Sequence, residues 1–324
     1  MDSALKKIST HSLGEHIQYP IDVFIACGSY EDRCKSIVNN IKTEKIAKAI
    51  IVENENLSEF VGSNSEYLSQ KFSDKLLAVK TSSTDSVMTA DNLQKAIRQV
   101  IEEGSKSFFI DITTFRHESL LILLSILRVH RGSIDKITLG YSTAEDYSIG
   151  DDNENKWLSK GVANVRTILG FSGDITPSKK MHLIVLVGYE HQRAAKLIEI
   201  LEPSILTLGH GAVESATEAK HKASQELFYD LLAKLMTAYG DVEKFDFFCN
   251  DPLKTKSAIL TQAAKYSEYN TVLAPMNTKL STVGAALAAF ERPELQICYA
   301  EAAHYNYRNY SSPGSNCYLI DLPT

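Results

Sequence analysis

The sequence predicts an α/β protein of two tandem Rossmann-like domains, each built on a doubly wound parallel sheet, that arose by internal duplication. Three observations lead to this prediction. The chain has 324 residues, which suits two domains. Short apolar runs alternate with helical patterns, as they do in β-α units around a parallel sheet. The turn that follows the first apolar run recurs in the second half of the chain.

Apolar runs of strand length predict the sheets, and the periodicity between them predicts the helices. In the first half we expect strands at 23–27, 49–52, 76–79, 107–112 and 136–141, and helices at 31–40, 91–102 and 117–128. In the second half we expect strands at 182–187, 204–208, 244–248, 269–274 and 295–300, and helices at 192–201, 216–239, after Pro252 and at 280–290. The predicted domains are 1–178 and 179–324, and the segments 144–177 and 301–323 are expected to be loops over one face of each domain.

The duplication is predicted from a repeated strand-to-helix turn. The first copy reads Gly28-Ser-Tyr-Glu-Asp-Arg33 and the second reads Gly188-Tyr-Glu-His-Gln-Arg193, so both are Gly-x4-Arg turns with a Tyr-Glu pair inside. The two glycines are 160 residues apart. Residues matched in the fourth and fifth predicted strands are 162 and 159 apart, namely Ile110 with Val272 and Thr138 with Ile297. Such constant spacing indicates an internal repeat.

Composition limits the partners and the compartment. Hydrophobic residues make up 44% and charged residues 23%, as in ordinary globular proteins. The formal net charge of −6 argues against a nucleic-acid duplex or an anionic membrane as partner, but a local site can still hold a small anion. The five cysteines have no metal-finger spacing and predict a reducing compartment. The sequence also has no GxGxxG pattern and no P-loop, and we expect neither a metal ion nor a cofactor. The sequence has no apolar signal segment and no run of membrane-spanning length, which predicts a cytoplasmic protein.

The two Gly-x4-Arg turns are the first candidate site. Ligands of open α/β sheets bind at the carboxyl ends of the strands, glycine lets the backbone approach them, and the helix that follows favours an anion. The predicted ligand-binding residues in these turns are Gly28, Ser29, Tyr30, Glu31, Arg33, Gly188, Tyr189, Glu190 and Arg193. An arginine here could bind phosphate through two hydrogen bonds. The alternative is that it pairs with a nearby carboxylate and holds the turn.

The turns after the fourth predicted strand of each half are the second candidate site. The first reads Asp111-Ile-Thr-Thr-Phe-Arg116, and its counterpart contains Asn277-Thr-Lys279. The predicted ligand-binding residues are Asp111, Thr113, Thr114, Arg116, Asn277, Thr278 and Lys279. These side chains suit hydrogen bonds to ribose, base or phosphate. The alternative is that Asp111 and Thr113 cap the helix that follows.

These turns carry a resemblance to a known family. The segment from Asp111 to Arg116 resembles the Asp-x-Thr-x-Gly-x-Arg turn of CRISPR-associated Rossmann-fold (CARF) sensor domains, with Phe115 where glycine is usual. The Asn277-Thr-Lys279 segment resembles the Gly-Thr-Lys variant of that turn. The resemblance implies a sensor in prokaryotic antiviral defence that binds a cyclic or linear oligonucleotide across the cleft of the paired domains. Both halves of the chain are used by the sensor-like unit, so we expect the output to come from a protein partner or from the sensor itself.

The segment after the last predicted strand is the third candidate site. It contains Tyr305 and Arg308, which could stack on bases or bind phosphate, although its tyrosines could instead pack against protein. His117 and His191 lie near the candidate turns and are possible general bases. The sequence has no Ser-His-Asp order and no HExxH pattern. Three functions stay open: a nucleotide or oligonucleotide second-messenger sensor, a phosphodiesterase or nuclease-type enzyme acting on a nucleotide, and a non-catalytic scaffold subunit.

Overall fold

The chain folds into two units. The computed structural model describes residues 5–54, 58–148, 157–239, 242–307 and 310–322. The first unit comprises residues 1–147 together with 307–324, and the second comprises 148–306. This division differs from the predicted boundary at 178, because the segment 148–178 belongs to the second unit and the C-terminal residues return to the first.

Within the described residues, the first unit is built on a seven-stranded sheet. Its strands, named along the chain and given in their order across the sheet, are β1 (Lys6–Ser9), β13 (Ser311–Asp321), β6 (Lys136–Tyr147), β5 (Ser107–Asp111), β2 (Ile21–Cys27), β3 (Ile46–Asn54) and β4 (Leu76–Thr81). Strands β2 to β6 pair in parallel, whereas β13 pairs antiparallel with β6 and β1. The helices are α1 (Leu13–His16), α2 (Ser58–Phe72), α3 (Ser86–Glu102) and α4 (His117–Val129).

The second unit is built on a six-stranded sheet over its described residues. In order across the sheet its strands are β10 (Glu243–Phe247), β9 (Ile205–Gly211), β8 (Met181–Leu186), β11 (Asn270–Pro275), β12 (Gln296–Tyr305) and β7 (Ser159–Thr167). Only β7 is antiparallel to its neighbour among these strands. The helices are α5 (His191–Leu201), α6 (Lys222–Leu235), α7 (Pro252–Lys265) and α8 (Lys279–Glu291).

The two sheets have the same strand order, which confirms the predicted α/β, Rossmann-like fold class. One reads β4-β3-β2-β5-β6-β13 and the other β10-β9-β8-β11-β12-β7. The register corrects one predicted match. Val23 of β2 pairs with Phe108, and Leu183 of β8 pairs with Val272, so Val272 corresponds to Phe108 and not to Ile110. The internal duplication itself stays a prediction.

The sixth strand of each sheet comes from the other half of the chain. β7 follows β6 in sequence but pairs with β12, and β13 follows β12 in sequence but pairs with β6. The expectation of loops at 144–177 and 301–323 is therefore wrong where these two long strands lie. Their strand signal is weak because β7 is an edge strand of mostly polar residues, while β13 begins with six polar or turn-forming residues and is apolar only at 317–320.

Several predicted helices need correction. The segment 31–40 forms short 3-10 turns at Asp32–Lys35 and Val38–Asn40 instead of an α-helix. The helix expected at 91–102 begins earlier, at Ser86, and is capped by Asp85, whose side chain accepts the Met88 N–H. The helix expected at 216–239 is shorter, and α2 was not predicted at all.

Each unit has its own apolar core. In the first, Phe24, Phe109 and Leu68 belong to one buried cluster with Cys34 and Cys317. In the second, the core joins strands β8, β9, β11 and β12 to helices α5 and α6. All five cysteines are free and buried. Among the helices of the described ranges, none combines the length and apolar character needed to cross a membrane.

Candidate functional site

The Gly28 turn of the first unit is closed by other parts of that unit. The Gly28 N–H donates to the Val52 carbonyl at 2.8 Å, and the Asn64 side chain of α2 donates to the Ser29 carbonyl at 2.8 Å. A Cβ added to Gly28 would lie 2.3 Å from the Ser65 hydroxyl oxygen. The close approach that glycine permits is therefore used by helix α2. The ring of Tyr30 packs edge-on against two C-terminal tyrosine rings, those of Tyr307 and Tyr310, at centroid distances of 5.1 and 5.6 Å.

Arg33 is buried and held by partners of its own unit. Its Nη2 lies 2.6 Å from Glu31 Oε2, and its Nε donates to the Ser311 hydroxyl of β13 at 2.9 Å. Its Nη1 donates to the Ser142 carbonyl at 3.3 Å, and the guanidinium lies 5.5 Å from the Tyr147 ring centre. Burial lowers the pKa of Arg33, but the charge and hydrogen bond of Glu31, together with Tyr147 and Tyr141, outweigh it, and the pKa is raised well above its usual value. The arginine-carboxylate pair considered as the alternative is thus present.

The second unit repeats this arrangement. Arg193 pairs with Glu190, and Glu190 also accepts a hydrogen bond from Ser159 at the start of β7. In both units a serine of the strand from the other half of the chain completes the Glu-Arg pair. A Cβ added to Gly188 would lie 2.0 Å from the Met276 carbonyl oxygen, so this glycine also serves close packing within the protein.

Replacing Gly188 with alanine is expected to destabilise the second unit by about 2 kcal/mol, because the new methyl group would meet a backbone carbonyl that cannot rotate away. Gly28→Ala should cost less, since the Ser65 side chain can change rotamer. Gly132→Ala is the control, because nothing lies within 4 Å of its added Cβ. Urea unfolding measures all three, and a loss at Gly28 as large as at Gly188 would contradict this ordering.

Asp111 is the most unusual residue at the edge of the first sheet. It ends β5 and is only 2% exposed. Its Oδ1 accepts the Thr113 N–H at 3.0 Å, whereas its buried Oδ2 has no hydrogen-bond partner among the residues that the structure describes. Burial raises the pKa of Asp111 to about 7, although hydrogen bonds from Thr113 and the charge of Arg33 act to lower it. Near neutral pH this carboxyl can gain or lose a proton.

A second incompletely bonded group lies on the same face of the sheet. Asp111 is paired in register with Gly140 of β6, so Ser142, two residues further along β6, points to the same face as Asp111. The Ser142 hydroxyl is fully buried and has no hydrogen-bond partner within the described ranges. Burial raises the pKa of the Cys34 thiol to about 12 and also raises that of Cys317, with the Asp111 charge as a further cause, so neither thiol is a nucleophile.

The other predicted residues of these turns serve the backbone. Thr113 Oγ1 accepts the Ser142 N–H at 2.9 Å, and Thr114 donates to the Cys27 carbonyl at 2.8 Å. Helix α4 has Arg116 at its N-cap position and no side-chain capping bond there, so Asp111 and Thr113 do not cap it.

The second turn differs from the first. Thr278 caps α8 by accepting the Ser281 N–H at 3.1 Å, and Asn277 donates to the Val187 carbonyl at 2.6 Å. Lys279 is the first residue of α8 and is half-buried. The strand end that carries the carboxyl in the first unit carries Pro275 in the second. The second unit therefore lacks the buried acid at this position.

The two candidate histidines begin helices in different units. His117 starts α4, and His191 starts α5 with its ring 5.4 Å from that of Phe228. Burial lowers the pKa of His191, although a backbone hydrogen bond at Tyr189 raises it. Tyr189 packs against the same Phe228 ring at 5.7 Å. In the part of the chain that the structure describes, no three His, Cys, Asp or Glu side chains are arranged to hold a metal ion.

The tyrosines of β6 and β12 form a repeated pair that was not predicted from the sequence. Tyr141 and Tyr147 of β6 have their hydroxyl oxygens 3.4 Å apart, and Tyr299 and Tyr305 of β12 have theirs 3.1 Å apart. A Tyr-x5-Tyr pattern in both halves was the available signal. Tyr305 is thus held by a tyrosine of its own strand, and Arg308 lies outside the described residues. Ser142, Ser159 and Ser311 had no sequence signal of their own.

No protein-family model matches this sequence, and no curated protein sequence matches it. Among solved structures, a spermidine synthase in complex with the transition state analogue AdoDATO matches at 17% identity, over 42% of this chain and 41% of that chain, with a TM-score of 0.24. A spermidine synthase from Thermotoga maritima matches at 16% identity over 40% and 38%, with a TM-score of 0.23.

An ABC transporter solute binding protein from Burkholderia multivorans matches over 85% of this chain and 76% of its own length, at 10% identity and a TM-score of 0.25. The chain spans about two fifths of the length of the spermidine synthases it matches. At these TM-scores the similarities carry no argument about function.

Proposed function

We propose that this chain is a sensor that binds a nucleotide or oligonucleotide at the carboxyl edge of its first sheet, with Asp111 as the group that the ligand reaches. The observation that carries the proposal is the Asp111 Oδ2 atom, which is buried and without a hydrogen-bond partner among the described residues. It lies where β5 ends, beside β2, which is the edge at which α/β sheets bind ligands.

An unsatisfied buried carboxyl has to be explained. Leaving such a group without its hydrogen bonds costs about 1–3 kcal/mol or more, and positions that break local rules in this way cluster at functional sites. Ribose hydroxyls and base amino groups donate hydrogen bonds, which the Asp111 Oδ2 atom can accept. The Ser142 hydroxyl, also unsatisfied within the described ranges, adds a second group for the same ligand. This donor and acceptor chemistry supports a nucleoside-containing ligand.

The covering of Asp111 supports a sensor over a simple binding protein. Arg33 and Cys34, in the 3-10 turn Asp32–Lys35, lie close enough to Asp111 for their charges or pKa values to be coupled to it. In this proposal a ligand that reaches Asp111 displaces the turn. Arg33 would then exchange Glu31 for a ligand phosphate, which it can bind in a bidentate manner. Binding is thereby linked to a change of shape, as signal transmission requires.

The role in prokaryotic antiviral defence rests on the resemblance of the Asp111–Arg116 turn to CARF domains. That resemblance favours an oligonucleotide ligand over a mononucleotide. A protein partner that carries the output is part of the same proposal.

The test is a thermal-shift and calorimetric screen of the full chain against mononucleotides, linear oligonucleotides and cyclic oligonucleotides. A ligand should raise the melting temperature by mass action. The shift should disappear in Asp111→Asn and persist in Asp135→Asn, which removes an exposed carboxylate. The absence of any shift across the panel, or a shift that survives Asp111→Asn, would contradict the proposal.

The same samples test the phosphodiesterase alternative. Chromatography of each ligand after incubation measures turnover. Binding without turnover supports the sensor. Turnover that His117→Ala or His191→Ala abolishes would make the chain an enzyme on the same class of ligand.

A further inference from the structure

Helix α6 of the second unit carries an exposed apolar stripe. It consists of Leu227, Leu231, Leu235 and Tyr239, whose exposed fractions lie between 37% and 53%. The three leucines are spaced four apart, so they lie on one side of α6, and Tyr239 ends the 3-10 turn Met236–Tyr239 that follows the helix. The stripe holds four of the ten large apolar side chains that are exposed in the described part of the chain.

The stripe is not needed to hold α6 on its unit. The opposite side of the helix supplies Tyr229 and Leu232 to the core, followed by Met236 in the next turn. These residues already anchor the helix against the sheet. The leucines at the outer positions still leave between 37% and 53% of their surface exposed, and exposed apolar patches of this kind mark interaction surfaces.

The corresponding helix of the first unit gives an internal control. Helix α2 lies between β3 and β4, just as α6 lies between β9 and β10. Its exposed described side chains are polar, and the list with its one glycine is Gly62, Ser63, Glu66, Gln70 and Lys71. Over residues 62–72, the same place in the same fold thus accepts a polar surface, so the leucines of α6 do not follow from the fold.

We propose that a second copy of this chain covers the stripe, with the two α6 helices packed antiparallel about a twofold axis at Leu231. In that arrangement Leu231 meets its own counterpart, and Leu227 of one copy meets Leu235 of the other. Asp230 and Lys234 are both exposed on one flank of the stripe. Antiparallel packing about this axis keeps the two flanks on the same side of the contact and places Lys234 of each copy beside Asp230 of the other, whereas a parallel twofold pair would put the flanks on opposite sides, where these charges could not pair.

The charges also favour a self-contact over an unrelated partner. Asp230 and Lys234 form no ion pair with each other within the described residues. Each is therefore available to an opposite charge on a second helix. A patch that carries both signs in this order is complementary to itself when it is turned by 180°.

The size of the stripe sets the strength of the contact. A helix of 14 residues is about 21 Å long. A pair of such helices buries less than the roughly 800 Å² per partner of a standard interface. We therefore expect a weak dimer whose population depends on protein concentration.

The first test is sedimentation velocity of the full chain over a hundredfold range of concentration. A monomer–dimer equilibrium is expected, and Leu231→Asp should shift it to monomer because two like charges would meet at the axis. Ile200→Asp is the control, since Ile200 is an exposed apolar residue on α5, outside the stripe. Circular dichroism checks that each variant is folded. A chain that stays monomeric throughout, or a dimer that Leu231→Asp leaves intact, overturns the proposal.

The second test distinguishes the antiparallel contact by charge and by cross-linking. Asp230→Lys alone and Lys234→Asp alone should each weaken the dimer, and the double exchange should restore it. The five native cysteines are buried, so a disulfide between copies has to come from an introduced thiol. Leu231→Cys should give a disulfide-linked dimer under mild oxidation, while Ile200→Cys, outside the stripe, should not. Failure of the double exchange to restore the dimer, together with no cross-link at position 231, would overturn the antiparallel arrangement. Neither test depends on nucleotide binding.

Discussion

Asp111→Asn is expected to stabilise the first unit by about 2 kcal/mol at pH 8 and to have little effect at pH 5. At pH 8 the wild-type carboxyl is ionised, buried and incompletely hydrogen-bonded, and its replacement by a neutral amide of the same shape removes the cost of burying that charge. At pH 5 the wild-type carboxyl already holds a proton. Urea unfolding of both proteins at the two pH values measures the difference.

The sign follows from the direction of the pKa shift. In the folded protein the pKa of Asp111 is about 7, against a usual value of 3.8. Between these values Asp111 binds more protons in the folded state than in the unfolded state. Its contribution to the stability of the fold therefore falls as pH rises from about 4 to 7 and is constant above pH 7. A shift of three units corresponds to at most about 4 kcal/mol, and relaxation around the ionised group reduces the measurable part.

The contribution of His182 to stability changes with pH in the opposite direction, and it has to be separated from that of Asp111. Burial lowers its pKa from 6.5 to about 4, so its contribution to stability is lost as pH falls from about 6.5 to 4. This contribution is the same in wild type and in Asp111→Asn, and it cancels in the difference between their pH profiles. Asp135→Asn serves as the control for loss of a surface charge. If Asp111→Asn is less stable than wild type at both pH values, the carboxyl makes contacts that stabilise the fold, and its candidacy as a ligand group fails.

The expected gain in stability of Asp111→Asn would connect stability to function. A residue whose replacement stabilises the protein while abolishing ligand binding is retained for the ligand and not for the fold. Asparagine keeps the shape and one acceptor oxygen but cannot carry the charge. The pair of measurements on one variant therefore separates the two roles of the side chain.

Much of the fold could be predicted because buried parallel strands have continuous apolar sequences. The strands that include Phe24, Ile50, Ile110, Ile184 and Leu273 are continuous apolar segments, and all were found. β7 and β13 were not, because neither is a continuous apolar segment along its length and the partner of each is distant in sequence. No local pattern could indicate that each strand pairs in the other half of the chain.

The candidate site was predicted in part. The sequence located the turns at Gly28 and Asp111, since both follow apolar runs and carry polar residues where strands end. It could not show whether Arg33 is free to bind a ligand or is already paired within the protein. The partners of Arg33 include Ser311, which is 278 residues away in sequence. Nor could the sequence indicate that Asp111 is buried with one oxygen unsatisfied, since burial depends on the packing of Cys34 and Cys317 around it.

Arg33→Met is expected to destabilise the first unit by about 3–5 kcal/mol, because it leaves the Glu31 carboxylate buried without its partner. Arg193→Met should act similarly in the second unit through Glu190. In each case the neutral double variant, Arg33→Met with Glu31→Gln or Arg193→Met with Glu190→Gln, should recover most of the loss. Denaturant midpoints of the single and double variants measure these effects, and a single variant as stable as wild type would contradict the buried ion pair.

The double variant at Arg33 also decides what the arginine does for a ligand. Loss of stability in the single variant is expected whether Arg33 is purely structural or also binds phosphate, so it cannot separate a sensor from a scaffold. If the double variant is folded and binds the nucleotide found by screening with unchanged affinity, the Glu31-Arg33 ion pair stabilises the fold and does not contact the ligand. A folded double variant that has lost affinity by tenfold or more, while the corresponding Arg193 and Glu190 double variant has not, assigns the phosphate contact to Arg33. Only that second result supports the exchange of Glu31 for a ligand phosphate, which is the step that links binding to a change of shape.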